Sequence, residues 1–247
     1  MTLSVRSRRT RLGALAAALA LPAGVLALAP PAHAQAVCTV NGLPGNTGTE
    51  DDDVIICAGS VDFTVDGRGG NDTIRIVGDI APGPLIGPGD GDVLGGAGND
   101  TITTGSVLGG LAAGGSGNDI ITTGSVTGIG VVLGDAGNDT ITTGAIAAVR
   151  DRHRVDGGDG ADAITVGSVD DAGLVRGGAG PDVIEAVSLG AFGVPSSIEG
   201  DDGDDIIRGI GGTTLIVGPA DGQVDGGAGT DTCTTTNIGA GATINCP

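Results

Sequence analysis

Tryptophan, tyrosine and lysine are absent from the chain, and phenylalanine occurs only twice in 247 residues. Without large rings an ordinary globular core cannot be filled, so packing must fall to Ile, Val, Leu and Ala. The lack of lysine leaves 11 Arg as the strong cations against 30 Asp and Glu, a net charge of −19. All of those acids follow position 34, whereas Arg6, Arg8, Arg9 and Arg11 precede it; without the first 34 residues the net charge is −23. Such a surface excludes nucleic acid and anionic membranes as partners. Glycine is the abundant residue, with 51 copies. A glycine-rich backbone loses unusually much entropy on folding, and clustered acids repel. This composition therefore leans towards disorder unless a cationic ligand is supplied.

The Arg-rich start is followed by an apolar run, Leu12 to Leu28, interrupted by Pro22, and then by Ala32-His33-Ala34. That layout predicts a secretory signal over residues 1–34, cleaved after Ala34, and an extracellular protein. An uncleaved anchor would need a longer unbroken run. Cys38, Cys57, Cys233 and Cys246 remain after cleavage, and three pairings are open. Nearness in sequence favours Cys38–Cys57 and Cys233–Cys246, oxidised in an exported chain. Zinc is the competing reading, but no C-x-x-C occurs and His153 is the only other His after the signal.

Between the two cysteine pairs a nine-residue phrase recurs eight times, ending its Gly-rich half in Asp72, Asp100, Asp119, Asp139, Asp162, Asp182, Asp205 and Asp231. The intervals are 28, 19, 20, 23, 20, 23 and 26 residues. Two residues before the first Gly stand Val65, Val93, Ala112, Val132, Val155, Val175, Ile198 and Val224. Two after the Asp stand Ile74, Ile102, Ile121, Ile141, Ile164, Ile184, Ile207 and finally Cys233. Five further on, the middle copies add Val107, Val126, Ile146, Val169 and Leu189. Helices would show spacings of three and four and would not tolerate this glycine content. The pattern predicts an all-β chain: a parallel β-roll or β-solenoid of about eight coils, with apolar knobs stacked inward and disulfide-stapled end caps. Its length would be roughly 35–40 Å at the usual strand spacing. The expected division is an N-terminal cap over 35–62, the solenoid over 63–231 and a C-terminal cap over 232–247.

A Gly-rich corner with positive φ can aim several carbonyl oxygens to one side, and the closing Asp adds a carboxylate. Two corners stacked one coil apart can offer six or more hard oxygens, which suits Ca²⁺ better than Mg²⁺, Zn²⁺ or copper. The alternative is a set of metal-free β-turns. Stacked acids about 5 Å apart would then repel without counterions.

GGAGNDTIT from Gly95, GGSGNDIIT from Gly114 and GGAGPDVIE from Gly177 resemble the G-G-x-G-x-D-x-U-x nonapeptide of RTX, or haemolysin-type, calcium-binding repeats. The likeness covers about residues 65 to 234. It implies a parallel β-roll with Ca²⁺ between successive turns, the eight aligned Asp giving carboxylates and the glycines giving carbonyls. By that pattern the ligand positions are Asp72; Gly95, Gly96, Gly98 and Asp100; Gly114, Gly115, Gly117 and Asp119; and Gly134, Gly137 and Asp139. They continue through Gly157, Gly158, Gly160 and Asp162; Gly177, Gly178, Gly180 and Asp182; Gly200, Gly203 and Asp205; and Gly226, Gly227, Gly229 and Asp231. The chain departs from the pattern at its opposite corner, where TTGSV replaces a second nonapeptide. The expectation is a one-sided ladder with at most about seven ions between eight loops. Arg68, in place of the second Gly, puts the first loop in doubt. GPGDGD (Gly87 to Asp92) would be a degenerate loop, and GTEDDDVI (Gly48 to Ile55) a worn copy inside the cap.

No G-x-S-x-G or H-E-x-x-H occurs, and nearly everything after the signal is repeat or cap, so the chain is expected not to be an enzyme. The expected function is an exported module that folds on Ca²⁺ and acts as a monomeric structural or interaction element, crossing by the Sec route unfolded. Alternatives are an adhesin, an ice-binding solenoid carried by Thr101-Ile102-Thr103 and Thr140-Ile141-Thr142, or a polysaccharide-active enzyme using acids among Asp201, Asp202, Asp204 and Asp205. After the signal, Arg150 to Arg154 is the only basic cluster, either a solvated insertion or a contact for a polyanion or polysaccharide, so a cell-surface or polysaccharide ligand is the partner to consider besides calcium.

Overall fold

The computed structural model describes residues 36–83, 91–148, 154–190, 194–218, 222–237 and 243–247. The expected signal, Gly87–Asp90 of GPGDGD and Arg150–His153 lie outside these residues. Among the described residues, 22 strands join in one sheet and no helix is long and apolar enough to cross a membrane. The expected β-solenoid is the fold, with about eight turns and a disulfide near each end.

Each Gly-rich phrase begins in one strand and ends in the next: Val93–Ala97 carries its opening and Thr101–Thr103 its close. A third segment follows, led by Val107 in this coil. Equivalent strands pair in parallel from coil to coil, forming three ladders. The first inward column runs through Val65, Val93, Ala112, Val132, Val155, Val175, Ile198 and Val224. The second runs from Ile55 through the predicted Ile series to Cys233. The third, foreseen only in its middle, runs through Val61, Ile80, Val107, Val126, Ile146, Val169, Leu189 and Val217. Apart from Cys233, every one of these side chains is at most 1% exposed. No coil could bury its own knobs alone; neighbouring coils supply the cover.

The uneven repeat length has one main origin. From Asp100, Asp119, Asp139, Asp162 and Asp182 the third column is always seven residues on. From the third column to the next first-column residue the chain uses between four residues (Val61 to Val65) and thirteen (Ile80 to Val93). Insertions therefore collect at the one corner that carries neither the Asp phrase nor TTGSV. In the last interval a 3-10 turn, Ile210–Gly212, lengthens the TTGSV-type corner instead.

The ends differ. Strand β1 (Val37–Val40) turns into β2 (Leu43–Pro44) and lies antiparallel on β3 (Val54–Ala58), with Cys38 opposite and bonded to Cys57. β3 already pairs in parallel with Thr73–Ile76, so coil register begins inside the segment read as a cap. At the other end Cys233 stacks over Ile207 and is bonded to Cys246. Ile244 continues the first column above Val224 but is 39% exposed, so this end of the core is open.

Candidate metal centre

The aligned aspartates point into the coil rather than out of it. Asp72, Asp100, Asp119, Asp139, Asp162, Asp182 and Asp205 are at most 2% exposed. Their Oδ1 atoms are held from the preceding coil. The Asp53 amide donates to Asp72 (2.8 Å), that of Asp72 to Asp100, Asp100 to Asp119 and Asp119 to Asp139 (each 2.7 Å). The series continues from Asp139 to Asp162 (2.7 Å), Asp162 to Asp182 and Asp182 to Asp205 (2.8 Å), and Asp205 to Asp231 (3.0 Å). Hydrogen bonds from amides to a carboxylate are of the stronger, charge-assisted kind.

Oδ2 is different. In all eight predicted aspartates this atom is buried and has no hydrogen-bond partner. It lies against the first glycine of its own phrase, 2.2–2.4 Å from the point a β-carbon would occupy at Gly67, Gly95, Gly114, Gly134, Gly157, Gly177, Gly200 and Gly226. At six of these corners the next copy's first-glycine carbonyl oxygen is 2.3–2.7 Å from the same point. Oδ2 and the next copy's carbonyl thus lie close together beside the first glycine, and Oδ2 has no donor, as at Asp139 and Gly157. Burial is the main cause that raises these carboxyls: Asp119 and Asp182 to about 7, Asp162 to about 6, and Asp72, Asp100, Asp139 and Asp205 in the same direction. The amide bonds to Oδ1 oppose the shift, and in most of the column neighbouring carboxylates add to it.

The glycine at the fourth position of each phrase is fixed by stacking. A β-carbon at Gly98, Gly117, Gly137, Gly160, Gly180, Gly203 or Gly229 would fall 1.9–2.1 Å from a carbonyl oxygen of the coil before. The second position also has positive φ, 95–116° at Gly96, Gly115, Gly158, Gly178 and Gly227. Arg68 (77°), Asp135 (73°) and Asp201 (72°) adopt the same turn. The first loop, doubtful because of Arg68, therefore keeps the shared path, and Asp72 sits in the column like its equivalents.

Sequence reading missed a second ladder beside the first. The Asn99, Asn118, Asn138 and Ala161 amides donate to the Asn71, Asn99, Asn118 and Asn138 side-chain oxygens at 2.7–2.8 Å. Asn in the same place of four successive copies was the available signal. Among the described residues the opposite corner carries no such acid column. There Thr104, Thr123 and Thr143 turn inward and donate to the next glycine's carbonyl at 2.9–3.0 Å.

The worn copy is a complete rung. Gly48 lies against Asp53 Oδ2 and the Gly67 carbonyl, as Gly67 does against Asp72 and Gly95. Here both carboxylate oxygens are occupied: Asn41 donates to Oδ1, while the Thr49 amide (2.6 Å) and hydroxyl (2.9 Å) donate to Oδ2. The Thr49 amide is the main reason Asp53 is held below the ordinary carboxylate value.

The acids weighed as a glycosidase pair do different things: Asp205 belongs to the column, Asp204 accepts from the Thr230 amide, and Asp201 is 3.8 Å from Arg176. Arg154 pairs with Asp156 at 3.1 Å. Among the described residues no three His, Cys, Asp or Glu side chains form a group that could hold a metal, so any cation here must draw on backbone carbonyls. The chain matches no protein-family model, no curated protein and no solved structure.

Proposed function

We propose that the chain is a calcium-folded structural or interaction module, exported before it folds. The single observation behind this reading is the column of eight buried Oδ2 atoms that lack any donor. A buried unpaired carboxylate is costly, and such groups are found protonated, paired or bound to metal. A divalent cation would supply the positive charge that the column lacks. The residues that would hold it are the column aspartates, through Oδ2, and the first-glycine carbonyls of the following copies. These are hard oxygen donors of the kind Ca²⁺ prefers. Asp100 and its equivalents then set where each ion sits, while the amide-to-Oδ1 bonds keep each carboxylate from rotating away. Because the unfolded chain has no such array, binding and folding are linked. Two disulfides fit maturation in an oxidising compartment, where calcium is also plentiful.

The test is circular dichroism and titration calorimetry on the disulfide-bonded protein, with and without calcium at neutral pH. The reading expects β-structure to rise and heat to be exchanged as Ca²⁺ approaches millimolar concentration. Unchanged spectra and no heat would overturn it. An ice-binding role draws on Thr103, Thr122, Thr142 and Thr165, which do stack in register. That row is only four rungs long and ends at Arg75 and at the Glu185–Arg208 ion pair, so the structural-module reading is preferred.

A further inference from the structure

We infer that the first rung of the aspartate column needs no cation, and that Thr49 is the residue that decides this. The inference rests on the calcium reading of the other eight rungs. The cradle at Asp53 is the one found at six of the column's corners: a first glycine, a carboxylate Oδ2 and the following copy's glycine carbonyl. Among the nine aspartates only Asp53 receives donors at Oδ2, both from Thr49. Asn41, on the turn between β1 and β2, takes the role that a preceding coil's amide plays elsewhere. The Asn41 side-chain oxygen in turn accepts from the Val54 amide at 2.9 Å, which ties the hairpin to β3.

This rung is also the one stapled by Cys38–Cys57 and covered by β1. Residues 36–58 thus combine a closed edge, a crosslink and a fully satisfied carboxylate. The next rung docks directly onto it: the Asp53 amide meets Asp72 Oδ1, and β3 pairs with Thr73–Ile76. The N-terminal rung is accordingly a metal-independent template on which calcium-dependent coils stack in chain order. Coil addition to a preformed neighbour avoids the cost of nucleating a lone coil. Thr49 acts as a positioning residue: it holds Asp53 through Oδ2 and leaves no unmet acceptor for a cation.

The experiment is hydrogen exchange on the intact protein in chelator, followed by calcium titration, for wild type and for Thr49→Gly and Thr49→Ser. In chelator the wild-type amides of Thr49, Asp53 and β3 should stay protected, while those of Asp100, Asp119 and Asp139 exchange at least about a hundred-fold faster than in calcium. Glycine at 49 removes the hydroxyl and, like the glycines at this position in later copies, can take the positive φ at which the amide no longer meets Oδ2. Thr49→Gly should therefore lose the first protection in chelator, regain it in calcium and bind one more ion per chain. Thr49→Ser, which keeps the amide and hydroxyl, should behave as wild type. An N-terminal segment that exchanges as fast as the rest in chelator, or an unchanged ion count in Thr49→Gly, would overturn the inference and leave the calcium reading standing. Full protection of every coil in chelator with no response to calcium would overturn both.

Discussion

At Asp139 one carboxylate oxygen is spoken for and the other faces a carbonyl. Asparagine is nearly the same shape and turns that second oxygen into a donor. Asp139→Asn should therefore keep the bond from the Asp119 amide and gain one to the Gly157 carbonyl. The expected result is a chain about 1–2 kcal/mol more stable in chelator, where an orphan acceptor has been removed, yet one that binds fewer calcium ions. Denaturant unfolding in chelator and calorimetry in calcium measure the two halves. Neighbouring glycines are constrained differently. Gly137→Ala would place a β-carbon 1.9 Å from the Gly117 carbonyl at a φ of +137°, and should cost at least about 2–3 kcal/mol with or without calcium. Thermal unfolding of that variant under both conditions checks whether the corner's geometry or only its ion is at stake.

The elements inherit these residue rules as columns and corners. Because the column carboxyls titrate above their unfolded value of about 3.9, the folded, metal-free chain holds more protons than the unfolded one from about pH 4 upward. Their contribution is whole below pH 4 and is lost as pH rises through the folded values, about 6 for Asp162 and about 7 for Asp119 and Asp182. Glu185, held low chiefly by the Gly211 amide, acts oppositely and is lost only in stronger acid. In chelator the melting temperature should thus be higher at pH 5 than at pH 8; equal or reversed values would contradict the buried column. Corners tolerate change unequally. Four residues inserted after Gly128, at the corner where natural lengths vary, should cost under about 1 kcal/mol. The same insertion between Asn118 and Asp119 would sever both ladders and should cost several-fold more in denaturant unfolding.

At the scale of the molecule, much was legible because solenoid packing repeats an offset. The first two inward columns could be counted from the Gly-Asp phrase, since Val93 to Asp100 to Ile102 never changes spacing. Val61, Ile80 and Val217 of the third column were not legible, because they stand eight, eight and twelve residues after Asp53, Asp72 and Asp205 instead of seven. Cys233 stood out as an Ile-column residue, and nearness in sequence made its disulfide with Cys246 readable. The inward turn of the aspartates was hidden for a physical reason: charge in a loop suggests solvent, and only stacking shows that the preceding amide draws Oδ1 into the coil. The Thr49 substitution was hidden likewise, since GTEDDDVI looks eroded until its hydrogen bonds are seen. The two ends should also fray unequally, because Ile244 is exposed where Ile55, Val61 and Val65 are covered.

The central claim is that the aspartate column holds cations. Crystals grown in calcium at neutral pH, measured for anomalous scattering, test it most directly. A row of peaks is expected beside Oδ2 of Asp100, Asp119, Asp139, Asp162 and Asp182, spaced one coil apart, and none at Asp53. A column without peaks, with each Oδ2 in a short hydrogen bond to the neighbouring glycine carbonyl, would contradict it and mark the carboxyls as protonated.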